Sequence, residues 1–493
     1  MYFIKKGSSM YYPKLEDIHK YKTEGNLIPI YKTINADLET PVSAYLKIAT
    51  GSYSFLLESV AGGEQLSRYS FIGTEPYKVV KTGINEESGL VDPLLLIQEE
   101  INKYQNVTVD GLPGFHGGGV GFLGYDNIHY FEPRIPMLEA DKLALPDSVV
   151  MFIDTILIFD HLRHDIKIVS HVNLDKNIEE SYNYAVKKIE ALALRLSTPL
   201  DNSVYSHTPS SKKSPDTNIR SNFTKKGFFN AVNKCIEYIY KGDAIQIVLS
   251  QRFERKTTAK PFNIYRSLRA LNPSPYMYHL HLSDFHIVGA SIETLVKVEN
   301  GVIDYHPIAG TRPRGATPEE DEQLAEELRT SEKQTAEHIM LVDLGRNDVG
   351  KVSEIGSVKV TDLMSIERYS HVMHLVSHIK GQLKKGLNPF DAFRSCFPAG
   401  TLSGAPKIRA MEIIAELEQE KRGPYGGAVG YFSFSGNLDT CITLRTSVIK
   451  NGTAYIQAGG GIVADSTDED EYLETYFKSN ALLKAIDNAE EQF

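Results

Sequence analysis

A chain of 493 residues, 42% hydrophobic and 24% charged, has the composition of an ordinary globular protein and can bury a large core. Its formal charge of −10 excludes the basic surplus of a general nucleic-acid binder. Cys235, Cys396 and Cys441 are scattered without a C-x-x-C pair, so no disulfide framework or zinc knuckle is expected and a reducing cytoplasm fits.

In chain order, residues 1–9 lack an apolar run, so no signal peptide is expected. Residues 54–57 and 149–159 are rich in β-branched and aromatic types and are predicted strands. The second is the most apolar stretch, but Asp154 interrupts it and it is too short to span a bilayer, so no membrane segment is expected. The polar reversal at 160–165 predicts a hairpin into 166–172, and 179–196 has helical composition. Residues 197–222, rich in Ser, Thr, Pro, Lys and Asn, cannot bury enough apolar surface to order themselves and are expected to form an exposed linker. The expected organisation is a first half at 1–196, that linker at 197–222 and a second half at 223–493.

The second half opens with Phe228, Phe229, Val232, Cys235, Ile236 and Ile239 at helical spacing, stopped by Gly242. Strand-like runs follow at 245–250, 287–290 and 302–305, with helical runs at 332–344 and 472–486. Strands and helices mix without regular βαβ alternation, which predicts an α+β fold.

Three motifs tempt. Residues 119–124 spell G-x-G-x-x-G, but the flanking Pro- and Gly-rich segment predicts a glycine-rich turn beside a strand. Residues 400–407 miss the phosphate-loop spacing yet could hold an anion on backbone N–H groups. His371, His374 and His378 would share one face of a helix, as a zinc or nickel site would require, but no carboxylate stands at helical spacing to complete it.

Glu337 falls on the apolar face of its predicted helix, where a carboxylate must find a cation or a salt bridge. Glu474 stands four residues before Lys478, the spacing of a surface helix pair, although two helical glutamates would also suit Mg2+. Between them lie His374, Thr401, Tyr425, Arg445 and the run Gly459, Gly460, Gly461. Arg445 offers a planar fork for a carboxylate, and the three glycines bare N–H groups or a tight turn. Together these predict a pocket for a small acid with several carboxylates.

The segments 243–250, 307–315, 337–348, 397–407 and 457–462 resemble the chorismate-utilising enzymes, densely across 228–483. The resemblance to the anthranilate synthase component I family extends through 56–59 and 68–73 and covers nearly the whole chain. It implies a chorismate-binding fold, with antiparallel sheets forming a central sandwich, helices outside and the active site in a cleft. It implies Mg2+ on Glu337 and Glu474, Tyr425, Arg445 and Gly459 to Gly461 on the enolpyruvyl carboxylate, and Thr401 on the ring carboxylate. His374 then assists pyruvate elimination, and Glu293 protonates the leaving 4-hydroxyl. Relatives that add water carry lysine where this chain has Gln246, and many aminodeoxychorismate synthases carry lysine where it has Ala309. The resemblance therefore implies ammonia as nucleophile and anthranilate as product. Ile292 replaces a proline usual before the glutamate, which is expected to loosen Glu293.

Glu58, Ser59, Arg68, Pro275, Tyr276 and Met277 resemble the family's tryptophan feedback site. No G-x-C-x-G nucleophile loop occurs, so a glutamine amidotransferase subunit, component II, is implied as partner in a heterotetramer. The alternatives are an aminodeoxychorismate synthase component I and a catalytically inactive tryptophan-sensing scaffold.

Overall fold

Runs of alternating and fully apolar residues sort into two large antiparallel sheets packed face to face. The structure, a computed structural model, describes residues 11–60, 68–201, 218–369 and 372–493. Among the described residues one sheet has twelve strands and the other ten. Phe55, Ile158, Leu280 and Ile287 from the first meet Phe122, Met151, Val429 and Cys441 from the second in one dry core. Helices cover both outer faces. Ile189, Leu268 and Ile486 pack on the first sheet, and Ile97, Val349 and Phe393 on the second. The α+β sandwich is thus observed, with helices outside.

Both sheets cross the expected boundary. Tyr53–Glu58 pairs with Tyr276–Leu282 in the first sheet, and Gly118–Leu123 with Ala428–Ser433 in the second. Segments before and after 197–222 are therefore joined by main-chain hydrogen bonds in each layer. Most of that expected linker, 202–217, lies outside the described residues. Its end is structured: Arg220–Ser221 pairs with Gln246–Lys256, and Asn222 Oδ1 accepts the Arg252 N–H at 2.7 Å.

The helix Ile178–Ser197 shows why local sequence suffices for some elements. Asn177 caps it, Glu179 and Glu180 sit at the positive end of its dipole, and Tyr182, Ala185, Ile189, Leu192 and Leu196 form its buried stripe. The 149–159 run behaves differently. It is two strands, Ser148–Ile153 in the second sheet and Thr155–Asp160 in the first, with Asp154 at the crossing. Both faces are buried on either side of the break, so no alternation marks it. The hairpin from Thr155–Asp160 into Asp165–Asn173 is as predicted.

Residues 119–124 fall within and just beyond the strand Gly118–Leu123 rather than forming a turn. A Cβ on Gly121 would stand 1.9 Å from the Val149 carbonyl oxygen, so the neighbouring strand demands glycine there. Among the described residues no helix is long and apolar enough to cross a membrane.

Candidate active site

A cavity of about 800 Å³ opens between the sheet ends and the helices Glu332–Val352 and Asp468–Gln492. It is lined by Gln246, Glu293, Ala309, Glu337, His374, Thr401, Tyr425, Arg445, Gly459, Gly461 and Glu474, residues more than 200 positions apart in sequence.

Glu293 follows the strand Phe285–Ser291 and is buried, with the Thr401 hydroxyl donating to its Oε1 at 2.9 Å. Burial pushes its carboxyl up to about 8, and that one hydrogen bond only partly opposes the shift. The acid therefore keeps its proton at neutral pH. Ile292 does not leave it loose: the Glu293 carbonyl accepts Ile442 N–H at 3.0 Å, and Ser291 Oγ accepts Glu293 N–H at 3.3 Å. Thr401 is presented by the turn Gly400–Leu402. The lysine of that loop faces elsewhere, since Lys407 Nζ is 2.6 Å from Asp348 Oδ2, so the predicted anion loop has no cation to offer.

His374 sits on the strand Val372–Gln382, not on a helix, which corrects the shared helical face of the three histidines. His371 lies outside the described residues. A bulge between Ala309 and Thr311, with Gly310 at φ +64°, brings the Gly310 carbonyl within 3.0 Å of His374 Nδ1. Thr311 Oγ1 is also 3.0 Å from that nitrogen. Nε2 has no hydrogen-bond partner among the described residues, and burial lowers the imidazole pKa below its ordinary value. The ring is thus neutral, with Nδ1–H donated to the backbone and the Nε2 lone pair free.

Arg445 lines the cavity together with Lys333 and Lys478. Its guanidinium is largely enclosed and has no ion pair among the described residues, and burial lowers its pKa. A charge held out of water without a partner is costly, so this geometry favours an anionic guest. Tyr425 lines the same cavity and is buried; burial pushes its hydroxyl up in pKa, opposed by the nearby Arg422 guanidinium and the Gly459 backbone. The glycines lie inside the strand Thr453–Ile462, not in a turn. A Cβ on Gly461 would stand 2.5 Å from Gln246 Nε2, and one on Gly460 2.3 Å from Glu471 Oε2. Gly460 therefore lies against Glu471 and not on the cavity wall.

Glu337 lines the cavity half-buried, taking the Gln246 amide N–H at 3.1 Å, and has no salt bridge among the described residues. Glu474 pairs with Lys478 at 2.6 Å while still facing the cavity. The sequence reading missed Glu471, one helical turn before Glu474. Its Oε1 takes the Ser466 hydroxyl at 2.6 Å, its Oε2 is buried without a partner among the described residues, and burial raises its pKa. The i, i+3 spacing of two acids on a cavity-facing helix was the available signal. Glu337, Glu471 and Glu474 supply oxygen donors only, a set that fits a hard cation sharing its shell with water and guest oxygens.

The second predicted cluster is only partly assembled. Glu58 and Met277 are cross-strand partners, Val60 N–H bonds the Ser274 carbonyl at 3.1 Å, and buried Ser59 Oγ lacks a partner among the described residues. Pro275 lies buried on the same edge. Arg68 is instead held by Asp160 at 2.9 Å, and the Tyr276 hydroxyl reaches Thr294 and Asp439 at 2.9 and 3.0 Å. Residues 61–67 between Ser59 and Arg68 lie outside the described residues. All three cysteine thiols are buried and pushed up in pKa by burial, so none is a poised nucleophile.

A buried acid, an imidazole, an arginine and three glutamates thus line one cleft. The model of the chorismate binding enzymes matches residues 52–484. Anthranilate synthase component 1 of Acetivibrio thermocellus is 50% identical, over 98% of this chain and 100% of its own. Anthranilate synthase component I from Streptococcus pneumoniae TIGR4 superposes with a TM-score of 0.77 at 37% identity, covering 91% of this chain and 99% of that one. The menaquinone-specific isochorismate synthase of Escherichia coli shares the fold, with a TM-score of 0.68 at 16% identity over 96% of this chain and 98% of that one. The chain belongs to the chorismate-binding enzymes and, within them, to the anthranilate synthase component 1 family.

Proposed function

We propose that the cavity converts chorismate and ammonia to anthranilate, pyruvate and water, with Mg2+ at Glu337 and Glu474 and with Glu471 beside them. The observation that carries this reading is the Arg445 guanidinium, without an ion pair among the described residues, in the same cavity as the carboxylates of Glu337, Glu471 and Glu474. Chorismate brings two carboxylates. One pairs with Arg445 and the Tyr425 hydroxyl; the other lies by Thr401 and the carboxylate cluster, where Mg2+ when bound would offset its charge.

Glu293, protonated below about 8, donates its proton to the departing 4-hydroxyl, which leaves as water. Ammonia adds to the ring. The free Nε2 of His374 then accepts the ring proton as the C–O bond breaks and enolpyruvate departs; the ring becomes aromatic, and enolpyruvate takes that proton at its methylene to become pyruvate. Gln246 is an amide and cannot activate water as a base, and Ala309 carries no nucleophile, which favours ammonia over water or a lysine adduct.

Buried, unreactive cysteines support a separate glutamine amidotransferase subunit as the physiological ammonia source. Tryptophan would bind at the edge formed by Ser59, Pro275 and Met277. From there Tyr276 touches Thr294, the residue after Glu293.

Purified chain with chorismate, Mg2+ and ammonium is expected to yield fluorescent anthranilate and pyruvate in equal amounts, and none with glutamine alone. Accumulation of 4-amino-4-deoxychorismate would replace this reading with the aminodeoxychorismate one.

A further inference from the structure

The strand that carries His374 also carries His378, four residues on and so on the same face. His378 Nδ1 lies 3.1 Å from His306 Nε2, and that nitrogen lies 2.8 Å from Asp304 Oδ1. The three donor atoms all fall within 4.8 Å of one another, and all three residues are half-buried. His378 is oriented from behind. Its Nε2 is 3.3 Å from Glu367 Oε1, which accepts the N–H there and leaves the Nδ1 lone pair facing His306. Lys380 approaches the other oxygen of Asp304 at 3.7 Å, leaving Oδ1 to the cluster.

Two ring nitrogens that face each other at 3.1 Å can share only one proton, whereas a cation between them would use both lone pairs and the carboxylate oxygen. In a tetrahedral zinc site with metal–nitrogen bonds of about 2.0–2.1 Å, donor atoms stand about 3.3 Å apart. The 3.1 and 2.8 Å spacings fall short of that by a few tenths of an ångström. Two imidazoles and one carboxylate suit zinc-class ions and not Mg2+, which prefers oxygen.

We propose that Asp304, His306 and His378 bind one zinc-class divalent cation, with Glu367 as the carboxylate behind His378 and water completing the shell. The site is separate from the carboxylate cluster at Glu337 and does not depend on the chorismate reading. It ties His306, just before the strand Ile308–Pro313, to the strand Val372–Gln382. These two strands supply Ala309, Thr311 and His374 to the cavity. The remaining oxygen of Glu367 takes the Tyr369 hydroxyl at 2.6 Å, and the Tyr369 ring meets His374 edge-on at 5.6 Å between centroids. A cation here would therefore clamp the wall that holds His374.

The test is titration of chelator-stripped full chain with Co2+ under excess Mg2+, which occupies oxygen-only sites. Visible bands of a four-coordinate nitrogen–oxygen complex are expected, saturating at one Co2+ per chain. They should vanish in His306→Asn and His378→Asn and persist in Glu337→Gln. Zn2+ should raise the melting temperature of the unsubstituted chain and leave that of both histidine variants unmoved. Should His378→Asn fail to fold, His306→Asn and Asp304→Asn decide. No bands, bands that survive both histidine changes, or bands lost in Glu337→Gln would each overturn the proposal.

Discussion

Glu293 and Glu58 are equally hidden, each 5% exposed, yet their surroundings differ in kind. Glu58 receives two guanidinium N–H groups from Arg269, at 3.0 and 3.2 Å, and the Tyr265 hydroxyl. Glu293 receives one threonine hydroxyl, and burial raises its pKa to about 8. The arginines divide the same way: Arg269 and Arg68 are paired with carboxylates, whereas Arg445 has no ion pair among the described residues. Between sheet edges Glu58 is paired, whereas in the cleft Glu293 and Arg445 have no ionic partner among the described residues. Groups left open in a cavity are those whose partners arrive with the guest.

The largest consequence falls on Glu293→Gln, for which a loss of about 10³-fold in kcat with little change in KM is expected from steady-state kinetics. Glu58→Gln should spare the rate, and an equal loss there would erase the contrast. Glu293 also marks the pH dependence of folding. Its pKa rises from 4.5 to about 8 on folding, so the native state holds a proton that the unfolded chain releases. This contribution is fully present below about 4.5 and is lost as pH rises through about 8. Urea melts across that window should show a slope that Glu293→Gln flattens.

Next in size is Arg445→Lys. A lysine keeps the charge and loses the fork, so kcat/KM for chorismate should fall by about 10- to 100-fold, roughly the worth of a charge-assisted bidentate pair. Glu58→Gln should instead lower stability by about 2 kcal/mol in denaturant melts. That lies below the usual range for a broken buried pair, because the Arg269 side chain is 35% exposed and water can relieve it. Ser59→Leu has the smallest effect on the enzyme itself. Activity without tryptophan should stay within about twofold, while the tryptophan concentration for half-inhibition rises. Unchanged inhibition would remove Ser59 from the regulatory edge.

Much of the cleft was legible only in aggregate: Glu337 on an apolar helix face, Arg445 and the glycines 459–461 together suggested a pocket for a small acid, and the family resemblance supplied the individual roles. Their assembly was not, since Glu293, His374 and Glu474 meet only after both sheets close. His378 was placed on a helix because spacings of three and four fit that period, while the segment Val372–Gln382 is a strand whose burial comes from both neighbours. The same cause hid the break at Asp154. Glycines 459–461 were open to a turn reading because sequence alone does not show that Glu471 and Gln246 fill the space of the missing Cβ atoms. Asp304 and His306 drew no notice, being two residues apart on one strand end and 72 residues from His378.

The contrast between the open and the paired carboxyl rests on the proton of Glu293, and infrared difference spectroscopy reads it directly. Subtracting the spectrum of Glu293→Gln from that of the unsubstituted chain at neutral pH should reveal a protonated carboxyl stretch that titrates away near pH 8. A carboxylate band already present at neutral pH would contradict the assignment of Glu293 as the acid.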